Sequence, residues 1–144
     1  MAQAAKKEEE ARIEAHDAII SELATYCAPL LETSREPMFL YLDDAHKVCN
    51  EPLARLFGYE KNEWERKEPF LNSFVAADQR SAYSKEYNDI VVVGRSSLKG
   101  TVDFVRRDGS SFRAQVATIP LMYKGEVCSL NLLGSTPQKA PENP

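Results

Sequence analysis

From Ala4 to Leu31 the chain carries no glycine, and no proline before Pro29. Its apolar side chains recur at Ile13, Ile20, Leu23, Cys27 and Leu30. A spacing close to seven among strong helix formers predicts one long helix with a single apolar stripe. The segment AKKEEEAR at its start holds only charge and alanine, so the first turns are expected to be solvated. The stripe has two readings: a helix laid on its own domain, or a helix that pairs with a second copy. Those five residues are the candidates for a dimer interface.

TSREP ends the helix, and the apolar run Met38–Leu42, bounded by the aspartate-rich DDAH, predicts a strand, followed by a second short strand in KVCN. Asn50 suits a helix cap, because its side-chain oxygen accepts the free amides of a first turn. Pro52 falls where a missing amide costs nothing. Leu53, Leu56 and Phe57 give a short apolar stripe, and Gly58 can take the left-handed conformation that stops a helix. EKNEW predicts another helical turn, and EPFLNSFVAAD an irregular segment pinned by Phe70, Leu71 and Phe74. Asp78 is a candidate cap for a longer helix with Tyr83, Tyr87, Ile90 and Val91 on one face, closed by Gly94.

The remainder alternates as strands do. TVDFVRR leads into Asp108-Gly109, a two-residue hairpin signal; SFRAQVATI follows, and a second reversal at Lys124-Gly125 gives VCSLNLL. The tail STPQKAPENP has three prolines and no apolar anchor, and is expected to be disordered. The order predicts an α+β domain: a five-stranded antiparallel sheet with helices on one face, preceded by a long N-terminal helix. The expected divisions are residues 1–35 for the helix, 36–134 for the domain and 135–144 for the tail.

Alternation assigns Met38, Leu40, Val102, Phe104, Ala114, Val116, Leu130 and Leu132 to the sheet face under the helices, with Leu56, Phe70, Tyr83 and Tyr87 opposite. A cavity there would be apolar and suit a small hydrophobic or aromatic ligand. The same aromatics serve equally as core.

Composition narrows the function classes. The 144 residues carry a formal net charge of −4, which argues against a general electrostatic grip on nucleic acid or anionic lipid. No apolar run approaches the roughly 20 residues of a membrane span, and no secretion signal opens the chain. The expectation is a cytoplasmic protein whose three scattered cysteines, Cys27, Cys49 and Cys128, are reduced. His46 and Cys49 lie three apart, but no second His/Cys pair completes a zinc quartet, so no metal is expected. No catalytic residues are assigned, because neither an orienting acid nor an oxyanion site accompanies the thiols.

In the order PMFLYLDD, VCNEPLARLFGYEKNEW, FLNSFVAADQR and VDFVRRDGSSFRAQVATIPLMYKGEVCSLNLLG, residues 36–134 resemble a PAS domain, a sensory and interaction module. Asn50, Gly58-Tyr59 and Arg107-Asp108-Gly109 match places that recur in that family. Asn50, Gly58, Asp108 and Gly109 are accordingly read as structural residues. The resemblance implies a sheet cupping a small pocket, a homodimer, and regulation of a partner. No effector of kinase, cyclase or DNA-binding size accompanies it, so the expected partner acts in trans, unless the chain is a fragment of something longer. Haem-binding members carry a histidine on the helix before the third strand; here Asp78–Val93 has none, which speaks against haem. Light sensors of the family carry a flavin-reactive cysteine where EPFLNSFVAAD has none, which excludes a covalent flavin adduct. The cofactor, if any, is left open. The expected function is a non-catalytic sensory module that binds a small hydrophobic ligand or a protein partner. The alternatives are an interaction adaptor with a filled core, or a thiol redox switch using Cys49 or Cys128.

Overall fold

The computed structural model describes residues 2–94 and 97–135. A 32-residue helix, α1 (Ala2–Thr33), is followed by β1 (Met38–Asp43) and β2 (His46–Cys49). Three short helices come next: α2 (Glu51–Phe57), α3 (Lys61–Arg66) and α4 (Phe70–Phe74). A 3-10 turn at Ala77–Gln79 leads into α5 (Arg80–Val93). The strands β3 (Ser97–Val105), β4 (Ser111–Tyr123) and β5 (Glu126–Ser135) complete a five-stranded sheet of order β2-β1-β5-β4-β3, antiparallel throughout. Apart from Ser135, which ends β5, the expected disordered tail lies outside the described residues.

Local chemistry explains the turn out of β2. The Asn50 side-chain oxygen accepts the Leu53 amide that α2 leaves free, and also the Met38 amide at the start of β1, both at 3.1 Å. Its amide nitrogen donates to the Glu36 carbonyl at 2.9 Å. One buried side chain therefore caps a helix and ties together the ends of two paired strands. Gly58 ends α2 at φ 83°, and the hairpin between β3 and β4 docks on that end: the Arg107 amide donates to the Phe57 carbonyl and Arg106 Nε to the Leu56 carbonyl. The basic pair thus satisfies two carbonyls that a helix terminus leaves without partners.

That hairpin differs from the two-residue turn expected at Asp108-Gly109. The Arg106 amide bonds the Ser110 carbonyl across a three-residue loop, with Gly109 at φ 90°. A two-residue turn of the mirror type needs positive φ at both central residues, but only the glycine supplies it here. Asp108 instead uses its carboxylate to accept the Ser110 amide and hydroxyl. At the second reversal, Lys124 and Gly125 both have positive φ and make the tight turn. Asp78 does not cap α5; it sits exposed in the 3-10 turn, and α5 starts after Gln79 without a side-chain cap.

The sheet is covered on both faces. One face packs on α2 to α5 through Phe39, Phe57, Trp64, Phe70, Phe74, Phe104 and their neighbours. The other packs on α1 through Ile19, Ile20, Leu23 and Leu31, which meet Met38, Leu40 and Cys128. Two expectations change as a result. Met38, Leu40, Leu130 and Leu132 face α1, not the pocket side. In β1 the run is apolar on both faces because both faces are buried, so alternation carries no sign there. In β5 the inward positions opposite β1 are Ser129 and Asn131, which pair with Tyr41 and Phe39, with Leu133 beyond them in the same core. Of the five residues proposed for a dimer interface, Ile20, Leu23 and Cys27 are occupied by the chain's own sheet, and Ile13 and Leu30 are exposed.

Candidate functional site

The space between sheet and helices is largely filled. Phe57 meets Phe74, Phe104 and Phe112 with ring centroids 5.0–5.5 Å apart, and Trp64 stacks on Phe74 at 4.9 Å. Val102, Phe104, Ala114 and Val116 are buried in this cluster and Leu56 packs against it. None of these five sequence candidates lines the cleft between β1, α4 and α5. Phe70, Tyr83 and Tyr87 do.

A cleft of about 410 Å³ opens where the end of β1 meets α4 and α5. Its walls are aromatic: Tyr41 stands edge-on to Phe70 at 5.5 Å and to Tyr87 at 5.6 Å, and Phe70 leans on Tyr83 at 5.7 Å. Asp43, Asp44, Asn72, Ser84 and Asn88 add polar groups to the lining. The Tyr41 hydroxyl donates to the Asp44 carboxylate, and burial, helped by that bond, raises its ionisation well above the usual phenol range. Burial likewise raises Tyr83, and pushes Tyr87 up to about 12 against an opposing bond to Ser129. At neutral pH the phenols are therefore uncharged, and the cleft presents ring faces and neutral hydroxyls beside the carboxylates of Asp43 and Asp44.

Tyr87 also connects the cleft to the middle of the sheet. Its hydroxyl lies 2.6 Å from Ser129 Oγ, Asn131 Nδ2 donates to that same Oγ at 2.9 Å, and Thr118 Oγ1 donates to Asn131 Oδ1 at 2.9 Å. Ser129, Asn131 and Thr118 have no solvent exposure, and they pair their polar atoms with one another. Sequence reasoning missed this chain, along with Tyr41. The signal was present in CSLNLL, where two polar residues alternate with leucine, but it also fits a strand with its polar side in water.

The thiols sit elsewhere. Cys49 ends β2, fully buried; its amide donates to the Glu65 carboxylate, and burial pushes its thiol up to about 12. Cys128 faces α1, pushed up to about 11 by burial. His46 turns its ring nitrogens to Asp43 and Asp17, and not to the Cys49 thiol three residues on. Lys47 was also missed. Its side chain is buried, its ammonium donates to the carbonyls of Asp44, Glu65 and Lys67, and burial lowers its proton affinity.

Among solved structures, the PAS domain of a Colwellia psychrerythraea protein superposes with a TM-score of 0.66 over 81% of this chain and 99% of its own, at 14% identity. The chain has the PAS fold. A Rhodobacter sphaeroides LOV protein superposes with a TM-score of 0.62, covering 91% of this chain and 70% of that one at 14% identity. The PAS domain of the fruit-fly ELK potassium channel gives 0.59 over 77% and 94% at 13% identity. No protein-family model and no curated protein sequence matches the chain. Within this PAS fold, α4 carries no thiol and none of the three cysteines lines the cleft.

Proposed function

We propose that this chain is a non-catalytic sensory module of PAS type that holds a small aromatic or hydrophobic molecule in the Tyr41–Phe70–Tyr83–Tyr87 cleft. The observation that carries this reading is that the cleft opens onto a buried polar chain. A ligand that moves Tyr87 strains its bond to Ser129, and Ser129 is on β5, the strand whose other face bears on α1. A packed interior is hard to deform gradually, so a local change there is transmitted and not absorbed. The signal would pass to a protein partner in trans, in the cytoplasm and as a homodimer. Of the five interface candidates on α1, the exposed Ile13 and Leu30 are left for self-association. Among the described residues no helix is long and apolar enough to cross a membrane.

A second reading, an interaction adaptor without ligand, is favoured by the ring packing that fills most of the interior. Native mass spectrometry of gently purified protein distinguishes the two and reports subunit number. The sensor reading expects a stoichiometric added mass that disappears in Ser84→Trp, where an indole fills the cleft. No added mass overturns the sensor reading and leaves the adaptor; an added mass that survives in that variant overturns the cleft assignment and places the ligand elsewhere.

A further inference from the structure

Outside the cleft, two imidazoles and three carboxylates meet where α1 crosses the turn between β1 and β2. His16 Nδ1 is 2.8 Å from Asp43 Oδ2, and His46 Nδ1 is 2.7 Å from Asp43 Oδ1. Both Nδ1 atoms thus converge on one carboxylate, and the ligand atoms of His16, Asp43 and His46 all lie within 4.8 Å of one another. The ring nitrogens on the far side face two further carboxylates. His46 Nε2 is 2.7 Å from Asp17 Oδ1; His16 Nε2, buried and without a hydrogen bond, is 3.4 Å from Glu126 Oε1. A break in the β1–β2 register between Tyr41 and Asp43 brings Asp43 opposite His46, and such irregularities re-aim side chains.

We propose that His16, Asp43 and His46 bind one divalent first-row transition-metal ion, of which zinc is the type. Each imidazole offers one nitrogen to a shared centre and turns the other to an outer carboxylate. That is the arrangement by which metal-ligating histidines are oriented and made more basic. Asp17 and Glu126 are the positioning residues. Charge favours a dication: three carboxylates face two imidazoles, and the Arg12 guanidinium, one turn earlier on α1 and near enough to feel Asp43 and Glu126, is itself paired with Glu9. Two imidazoles and one carboxylate select zinc-like ions over magnesium or calcium, which prefer oxygen alone. Three protein ligands leave a fourth position for water. Zinc–nitrogen bonds of about 2.1 Å put tetrahedral ligands roughly 3.4 Å apart. The present contacts of 2.7 and 2.8 Å therefore need to open by roughly 0.6–0.7 Å, a small rotation for the half-exposed Asp43. Sequence gave no hint of this site because His16 and Asp43 lie 27 positions apart and meet only when α1 lies on the sheet. The ion would fasten α1 to the β1–β2 turn.

The test uses the full chain stripped with a chelator and titrated with zinc chloride by calorimetry, and with cobalt(II) by absorption. The expected result is one ion per chain, a higher unfolding midpoint with zinc, and a tetrahedral cobalt spectrum without a sulfur charge-transfer band. His16→Gln and His46→Gln should abolish binding. Asp17→Asn and Glu126→Gln, at surface positions whose loss leaves the fold intact by circular dichroism, should weaken it about 10- to 100-fold. Absence of binding, a sulfur band that places the ion on a cysteine, or affinity unchanged in the two surface variants overturns the proposal.

Discussion

Asn50 joins three backbone segments through one side chain, and its replacement measures that role. Asn50→Ala leaves the buried Met38 and Leu53 amides, and the Glu36 carbonyl, without their partner. Unsatisfied buried groups and a lost cap together should cost about 2–4 kcal/mol in urea unfolding. A change below about 0.5 kcal/mol would mean that water replaces the side chain. Cys49 makes the opposite case. With its thiol pushed up to about 12 by burial, it holds on the order of a thousandfold less thiolate than an ordinary cysteine at neutral pH. Iodoacetamide should modify the half-buried Cys27 well before Cys49 in the native protein, as read by peptide mass mapping. Rapid labelling of Cys49 would revive the redox-switch alternative. The role of Asn50 was legible in the sequence because capping is local chemistry. The environment of Cys49 depends on α3, whose Lys61 and Glu65 reach it only in the folded chain.

At the scale of elements, the 3-10 turn, β3 and β4 are held together by Asp103. Its carboxylate accepts from Arg113 at 2.8 Å and from Gln79 at 2.9 Å, and the Arg113 bond holds it below the usual carboxylate range. Because the folded form has the depressed value, the stabilisation is fully present above the unfolded value of about 3.9 and is lost as pH falls through the folded one. Asp103→Asn should therefore lower the urea midpoint at pH 7, with the gap to wild type closing on acidification below about pH 4. A gap that stays constant across that range would show that shape, and not charge, does the holding. Element types were readable from periodicity and stop signals, except that Phe70–Phe74, expected to be irregular, forms α4, a helix too short to show a period. The facing of β1 and β5 was not: β1 is apolar on both sides, and the polar residues of β5 point inward to Tyr87.

At the scale of the whole molecule, α1 decides how much of the sheet meets water. Its Ile19, Ile20, Leu23 and Leu31 cover Met38, Leu40 and Cys128, and the His16–Asp43 bond, which raises the imidazole's proton affinity, pins its middle. Removing residues 1–33 strips that cover and bares a contiguous apolar face, which in water promotes association. The truncated chain is expected to unfold at a lower urea midpoint and to self-associate in light scattering. A stable monomer with an unchanged midpoint would mean that α1 docks too weakly to count in the fold.

What the sequence determined by itself is what neighbours along the chain can settle: the long helix, the strand–cap–helix unit ending at Gly58, the late hairpins and, from their order, the fold class. These follow from backbone sterics, capping and periodicity, which act over a few residues. Tertiary structure alone decided which face of β1 and β5 looks at which layer, how far the interior is filled, and which distant polar groups meet. Burial on both faces removes the alternation that would report direction. The Tyr87–Ser129–Asn131–Thr118 chain and the His16–Asp43–His46 cluster are each assembled from segments with no fixed spacing in sequence. Long-range contacts of this kind are set by how layers stack, and no local pattern encodes them.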